Sequence, residues 1–226
     1  MSGNHRPLCI RRRRHATELI FRTPIVGREL RSQLEESLRQ LAAEQHPRPV
    51  VLLGEHSRVF LAGADLGEIA RLDTSSCIEY AAEGRRIAEL FGRHPSPVVA
   101  AVKGTCAGGG FDLVMACDAV VAHPQATFHH PGVRRGLVTG WTGTTQLPEA
   151  LGASVTRRAF LGAEPIDAET MSALGLVQAI AVDTATRASA IARRLAPVGG
   201  RNLAVWRSLR GPRFVDRFLA TVVHKL

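Results

Sequence analysis

The sequence contains no apolar run near the roughly 20 residues that a membrane-spanning helix needs. It is therefore expected to have no membrane-embedded part. The basic N-terminus is not followed by an apolar stretch, so no signal peptide is read there. Its four cysteines, Cys9, Cys77, Cys106 and Cys117, form no CxxC pair. They read as small apolar residues in a reduced cytoplasm, with neither a disulfide framework nor a metal site. GxxxxGK[ST] is absent, and no GxGxxG opens a helix, so the usual nucleotide phosphate loops are not expected. There is no internal repeat or low-complexity tract. Lysine is nearly absent, so arginine carries the net charge of +9. That excess suits nucleic acid or a ligand with several phosphates. Since no nucleic-acid motif accompanies it, nucleic acid is the weakest reading. The densest cluster, Arg11 to Arg14, reads as a solvated edge strand or terminus.

What is present fits one α/β domain. The chain has 226 residues, 45% hydrophobic and 22% charged, enough for one full core. Residues 1–15 read as a loose basic lead-in, 16–182 as the core and 183–226 as a short helical region. Ala16 to Phe21 has a strand pattern. Leu30, Leu34, Leu38 and Leu41 recur at helical spacing and predict an amphipathic helix over 28–45. Val50 to Leu53, Val98 to Val102 and Ala119 to Ala122 are apolar runs of buried parallel strands. A helix over 74–92, with Thr74 as its N-cap, separates the first two. Further helices are predicted over 144–150, 153–161, 167–173 and 184–196, with a return strand from Gly175 to about Val182. Residues 201–226 read as weakly helical, with Trp206, Leu209, Phe214 and Phe218 as apolar points. Strands alternating with helices predict parallel sheets with right-handed crossovers.

Two bends could carry chemistry. One is Ala62-Gly63-Ala64-Asp65, after an apolar strand. The other is Gly108-Gly109-Gly110, between a buried strand and a helix. A glycine-rich strand-to-helix turn lets a ligand approach the backbone and leaves N–H groups unpaired. Such a turn suits a phosphate or a carbonyl oxygen gaining charge. Alone, a triple glycine is equally consistent with tight packing of helix on strand.

The order of the two bends resembles one family. The run "VFLAGADLGEI" is similar to the crotonase (enoyl-CoA hydratase/isomerase) pattern, and "PVVAAVKGTCAGGGFDLVMACDAVVAHPQATFHHPGVRRGLV" resembles its signature stretch. "LPEALG" and "ALGLVQAI" resemble further segments, so the likeness runs from about residue 16 to 182. It implies a ClpP/crotonase-like fold of repeated ββα units, acting on an acyl-coenzyme A thioester. Coenzyme A would come as part of the substrate, with no separate cofactor and no metal. Homotrimers or hexamers are the usual assembly. Ala64 and Gly109 match the positions whose N–H groups form the oxyanion hole. Ala62 and Leu66 match a loop beside the adenine of CoA. Gly63, Asp65, Gly108, Gly132 and His130 are counted with them as substrate-lining residues.

Hydratases of this family use two glutamates around a water. Asp112 stands at the first position, one methylene shorter and so roughly 1.5 Å less far-reaching. Gly132, which cannot carry a proton, stands at the second. Gly140 stands where dienoyl isomerases have a further acid. "RTPIVGREL" replaces the family's Asn-Ala step, and the helices that usually follow the core are expected to be reduced to about one. His129 and His130 read either as partly exposed loop histidines or as a substitute proton shuttle. Arg134 and Arg135 read as a solvated pair or as a site for a carboxylate or phosphate. Asp118 reads as a structural acid capping a turn. Two functions follow: an enzyme with Asp112 as its one family carboxylate, or a degenerate acyl-CoA-binding or helper subunit.

Overall fold

The computed structural model describes residues 6–208. The first elements are β1 (Leu8–Arg12), β2 (Thr17–Phe21), β3 (Ile25–Val26), α1 (Arg28–Ala42), β4 (Val50–Gly54), β5 (Val59–Leu61) and β6 (Gly63–Ala64). Next come α2 (Leu66–Ile69), α3 (Thr74–Arg93), β7 (Val98–Val102), β8 (Thr105–Ala107), α4 (Gly109–Met115), β9 (Ala119–Ala122) and β10 (Thr127–His129). After a 3-10 turn over Pro131–Arg135 follow α5 (Gly143–Leu161), β11 (Ile166–Asp167), α6 (Ala168–Ala173), β12 (Ala179–Ile180), α7 (Thr184–Leu195) and α8 (Arg201–Ser208). Leu209, Phe214 and Phe218 lie outside the described residues.

The apolar runs form the centre of a six-stranded sheet, ordered β1-β2-β4-β7-β9-β12. Only the β1–β2 pair in it is antiparallel. All five residues of β7 are buried, as expected of a parallel strand covered on both faces. Their side chains alternate. Val98, Ala100 and Val102 enter the main core with α1, α3 and α4, while Val99 and Ala101 meet Ala188 and Ala192 of α7 on the other face. A second sheet, β11-β10-β8-β5, stands beside the first.

The presumed lead-in carries structure. Leu8–Arg12 adds an antiparallel edge strand to the large sheet. Arg11 and Arg13 pair with Glu18, and Arg12 with Glu44, at 3.6, 3.0 and 2.6 Å. Charge on such an edge discourages pairing with other chains. Helix α3 is capped by Asp73, whose carboxylate accepts the Ser76 N–H, and not by Thr74. The return strand is only Ala179–Ile180. Helix α5 is broken at Gly152, which separates the two predicted helices.

Helix α8 is fixed by Arg207. Its guanidinium meets Asp118 at 2.8 and 2.6 Å and donates to the carbonyl of His94. Asp118 in turn accepts the Val98 N–H at the start of β7. His94 is buried, and its Nε2 has no hydrogen-bond partner among the described residues. Burial lowers its pKa, with Arg207 adding to the effect. A lowered folded pKa makes the neutral ring favourable to the fold. That contribution is complete above the unfolded value near 6.5 and is lost as pH falls through the folded value. Unfolding midpoints should therefore drop as pH falls below about 6.5, and His94→Gln should flatten that part of the profile. An unchanged profile would assign the acid sensitivity to other groups, His129 among them.

Candidate active site

The two glycine-bearing bends meet. After β5, the Ala62 N–H donates to the Pro24 carbonyl at 2.7 Å, and Gly63–Ala64 pairs with Ile25–Val26. Gly63 has φ +93°, a conformation that disfavours side chains. A Cβ there would lie 2.9 Å from the Ala107 oxygen and 3.2 Å from the Gly109 nitrogen. The first bend thus touches the second backbone to backbone. Gly108 has φ +53° and no side chain to cap α4, and its own N–H is taken by the His129 carbonyl at 3.0 Å.

The loop after Ala64 is held from below. Asp65 caps α2, accepting the N–H groups of Gly67 and Glu68 at 2.7 and 3.2 Å. Both bonds use Oδ1, so this oxygen of the carboxylate serves the loop. Glu68 accepts the Arg28 N–H and the Arg31 guanidinium, at 2.7 and 2.8 Å. Arg31 is 3% exposed; it also meets Glu83 at 2.8 Å and lies 4.6 Å over the Tyr80 ring. Burial opposes its charge, but hydrogen bonds to Glu68 and Glu83 outweigh that and raise its pKa. Tyr80 is pushed up to about 12 by burial. Ala62 and Leu66 stay exposed.

Asp112 lies one turn into α4 and is fully buried. Its Oδ2 accepts the Thr139 hydroxyl. Its Oδ1 is 3.0 Å from His130 Nε2. The distance is that of a hydrogen bond, yet the ring is not aligned for one, and neither atom has another partner among the described residues. His130 is 4% exposed, stacked on Phe160 at 4.7 Å and tilted against Phe111. It is therefore not an exposed loop residue. His129 fits that description better, being only part-buried. Burial, then His130 and Arg134, lower its pKa.

Gly132 closes the turn before Leu137, accepting that residue's N–H at 2.9 Å. A Cβ at Gly132 would be 3.1 Å from the Leu137 oxygen, so the turn is tight there. Arg134 and Arg135 are exposed. The segment that follows packs onto the site. A Cβ on Gly143 would overlap Asp112 Oδ1 and come 3.1 Å from His130 Nε2. The Trp141 indole fills a notch between Gly84 of α3 and Gly109.

Thr139, Trp141, Gly143, Phe160 and Arg31 were not singled out from sequence. For Thr139, Trp141 and Gly143 the only signal is the glycine-rich character of 129–143, which says nothing of what it covers, and Arg31 and Phe160 give none. Among the described residues, no group of three His, Cys, Asp or Glu could hold a metal ion. No described helix is long and apolar enough to cross a membrane.

The sheets and helices define a crotonase-type fold. The structure of Pseudomonas aeruginosa DspI superposes with TM-score 0.88 at 24% identity, covering 100% of this chain and 95% of that one. An enoyl-CoA hydratase from Bacillus anthracis gives 0.82 at 23% identity, over 96% and 91% of the two chains. The profile of the enoyl-CoA hydratase/isomerase family matches residues 26–198, and this chain belongs to that family. Among its relatives, a Bacillus subtilis protein called "Probable enoyl-CoA hydratase" is 32% identical over 176 residues, 76% of this chain and 68% of that protein. The crotonyl-CoA hydratase of Syntrophomonas wolfei is 32% identical over 131 residues, 58% of this chain and 50% of its own. The mouse mitochondrial methylglutaconyl-CoA hydratase is 28% identical over 152 residues, 67% and 48% of the two. The chain thus matches about half the length of these last two relatives.

Proposed function

We propose that this protein moves a proton on an enoyl-CoA thioester through an enolate, with the N–H groups of Ala64 and Gly109 receiving the thioester oxygen. The observation that carries the reading is the close approach of the two bends, so close that a Cβ on Gly63 would lie 3.2 Å from the Gly109 nitrogen, with Asp112 one turn further along α4. Two donors fixed in the main chain cost no reorganisation as charge builds on the oxygen. Each such donor is typically worth about 3 kcal/mol of barrier.

Asp112 is the proton carrier. Its carboxylate removes a proton from the acyl chain, and the C–H electron pair becomes a double bond. Negative charge moves onto the thioester oxygen. Return of the proton at another carbon completes a double-bond isomerisation, with no net change in composition. Two-carboxylate hydration is disfavoured because Gly132 stands in a tight turn with no second acid. His130, 3.0 Å from Asp112, takes the place of a second proton-handling group. Ala62 and Leu66 line the CoA end, while Gly108 and Gly132 shape the bends. The matching assembly is a homotrimer or hexamer in the cytoplasm, with CoA brought by the substrate.

A second reading has support of its own. Asp112 is fully buried beneath Gly143, which would suit a protein that binds a thioester without turning it over. Incubation with 3-enoyl-CoA and 2-enoyl-CoA in D2O, read by mass spectrometry, separates the two. The enzyme reading predicts interconversion and deuterium uptake that depend on Asp112. Binding without deuterium uptake at any acyl carbon would establish the helper reading.

A further inference from the structure

We infer that Trp141 sets the length of the acyl group, restricting the substrate to short-chain thioesters. This rests on the thioester reading above. The indole is pressed between two glycines that only glycine allows. A Cβ on Gly84 would press on the face of its five-membered ring, 2.1 Å from Cδ2 and Cε2, and a Cβ on Gly109 would come 2.8 Å from Cζ3 and 2.9 Å from Cε3 of its six-membered ring. The ring is buried, 5% exposed, and tilted against Tyr80 at 6.1 Å.

The segment that carries the indole is also held in place. The main-chain N–H of Trp141 reaches Thr139 Oγ1 at 3.3 Å, and that same hydroxyl donates to Asp112. Arg85 of α3 donates to the carbonyl of Gly140 at 2.8 Å. Trp141 is thus tied both to the helix that forms the notch and to the carboxylate that works on acyl carbons. The ring covers the Cα of Gly109, so the acyl carbons of a thioester whose oxygen sits on that N–H would meet it.

Beyond the ring there is room. Ala88 and Gly92 lie four and eight residues past Gly84, on the same face of α3. With Met115, Thr142 and Gln146 they line a cavity of about 900 Å³. None of residues 62–66 or 108–112 lines it. Trp141 does not itself line this cavity, but its neighbour Thr142 does, and the indole packs between the same two helices, α3 and α4, at Gly84 and Gly109; its removal is expected to open a way from the bends toward this space.

The test is titration calorimetry of the full chain with butyryl-, octanoyl- and dodecanoyl-CoA, which have no double bond to turn over. In the native protein, affinity should stop rising after the short chain. In Trp141→Ala, each newly buried methylene should strengthen binding roughly fourfold, so octanoyl-CoA should gain at least about tenfold over butyryl-CoA. Trp141→Phe, which keeps most of the packing, should fall between the two and serves if the alanine variant does not fold. Gly84→Ala should disrupt the native protein and be tolerated in the Trp141→Ala background. If affinity rises with chain length already in the native protein and both variants leave that profile unchanged, the inference is overturned and the thioester reading stands. If no acyl-CoA of any length binds, the thioester reading fails and takes the inference with it.

Discussion

Asp112→Asn is expected to slow enoyl-CoA proton exchange by about 10²–10⁴-fold, the usual contribution of one positioned acid or base. Asparagine keeps the volume of a fully buried side chain and can still accept the Thr139 hydroxyl. The fold and the affinity for CoA thioesters should therefore persist. The check pairs the exchange rate, read by deuterium uptake, with a dissociation constant from calorimetry. A variant that binds normally and exchanges more than a tenth as fast as the native protein would remove Asp112 from the chemistry. His130 would then be the remaining group at the same place, 3.0 Å away and packed between Phe111 and Phe160.

The largest effect on stability is expected from Arg31→Met. Its guanidinium bridges α1, α2 and α3 through Glu68 and Glu83 and also donates to the Val26 carbonyl. Breaking a buried ion pair from one side typically costs about 3–5 kcal/mol, because the partner charge stays behind. Both glutamates keep about a quarter of their side-chain surface in solvent, 24% for Glu68 and 23% for Glu83. The cost should fall at the low end of that range. At roughly 2–4 °C per kcal/mol for a domain of this size, the melting temperature should drop by about 10 °C. A drop of one or two degrees would mean that water replaces the guanidinium easily. Because Glu68 also anchors the loop that follows Ala64, Arg31→Met should weaken thioester binding as well.

The elements legible in the sequence were those with a long, one-sided pattern. The runs Val50–Gly54, Val98–Val102 and Ala119–Ala122 announce buried strands because no polar residue interrupts them. The leucine spacing of α1 marks its buried face in the same way. Strands such as Ile25–Val26, Thr105–Ala107 and Ile166–Asp167 are two or three residues long. They exist only because distant segments lie beside them, and no periodicity can form over that length. Leu8–Arg12 was hidden for another reason: its arginines find Glu18 and Glu44 only once the sheet is built.

The same division holds for the site. The two glycine bends were visible as local composition, and their order along the chain pointed to the family. The burial of His130 was not, since Phe160, thirty residues later, provides its stacking surface. Nor was the role of Asp65, whose carboxylate turns back to cap α2. Trp141 gave no local sign, because its place is made by what Gly84 and Gly109 lack.

The most direct measurement is the infrared carbonyl stretch of an isotope-labelled enoyl-CoA thioester bound to the Asp112→Asn variant. Two converging N–H donors polarise the bond and should move the band to lower frequency than in free solution, and loss of one donor through a backbone ester at residue 109 should partly reverse that shift. A bound thioester whose band stays at its solution frequency would contradict the account.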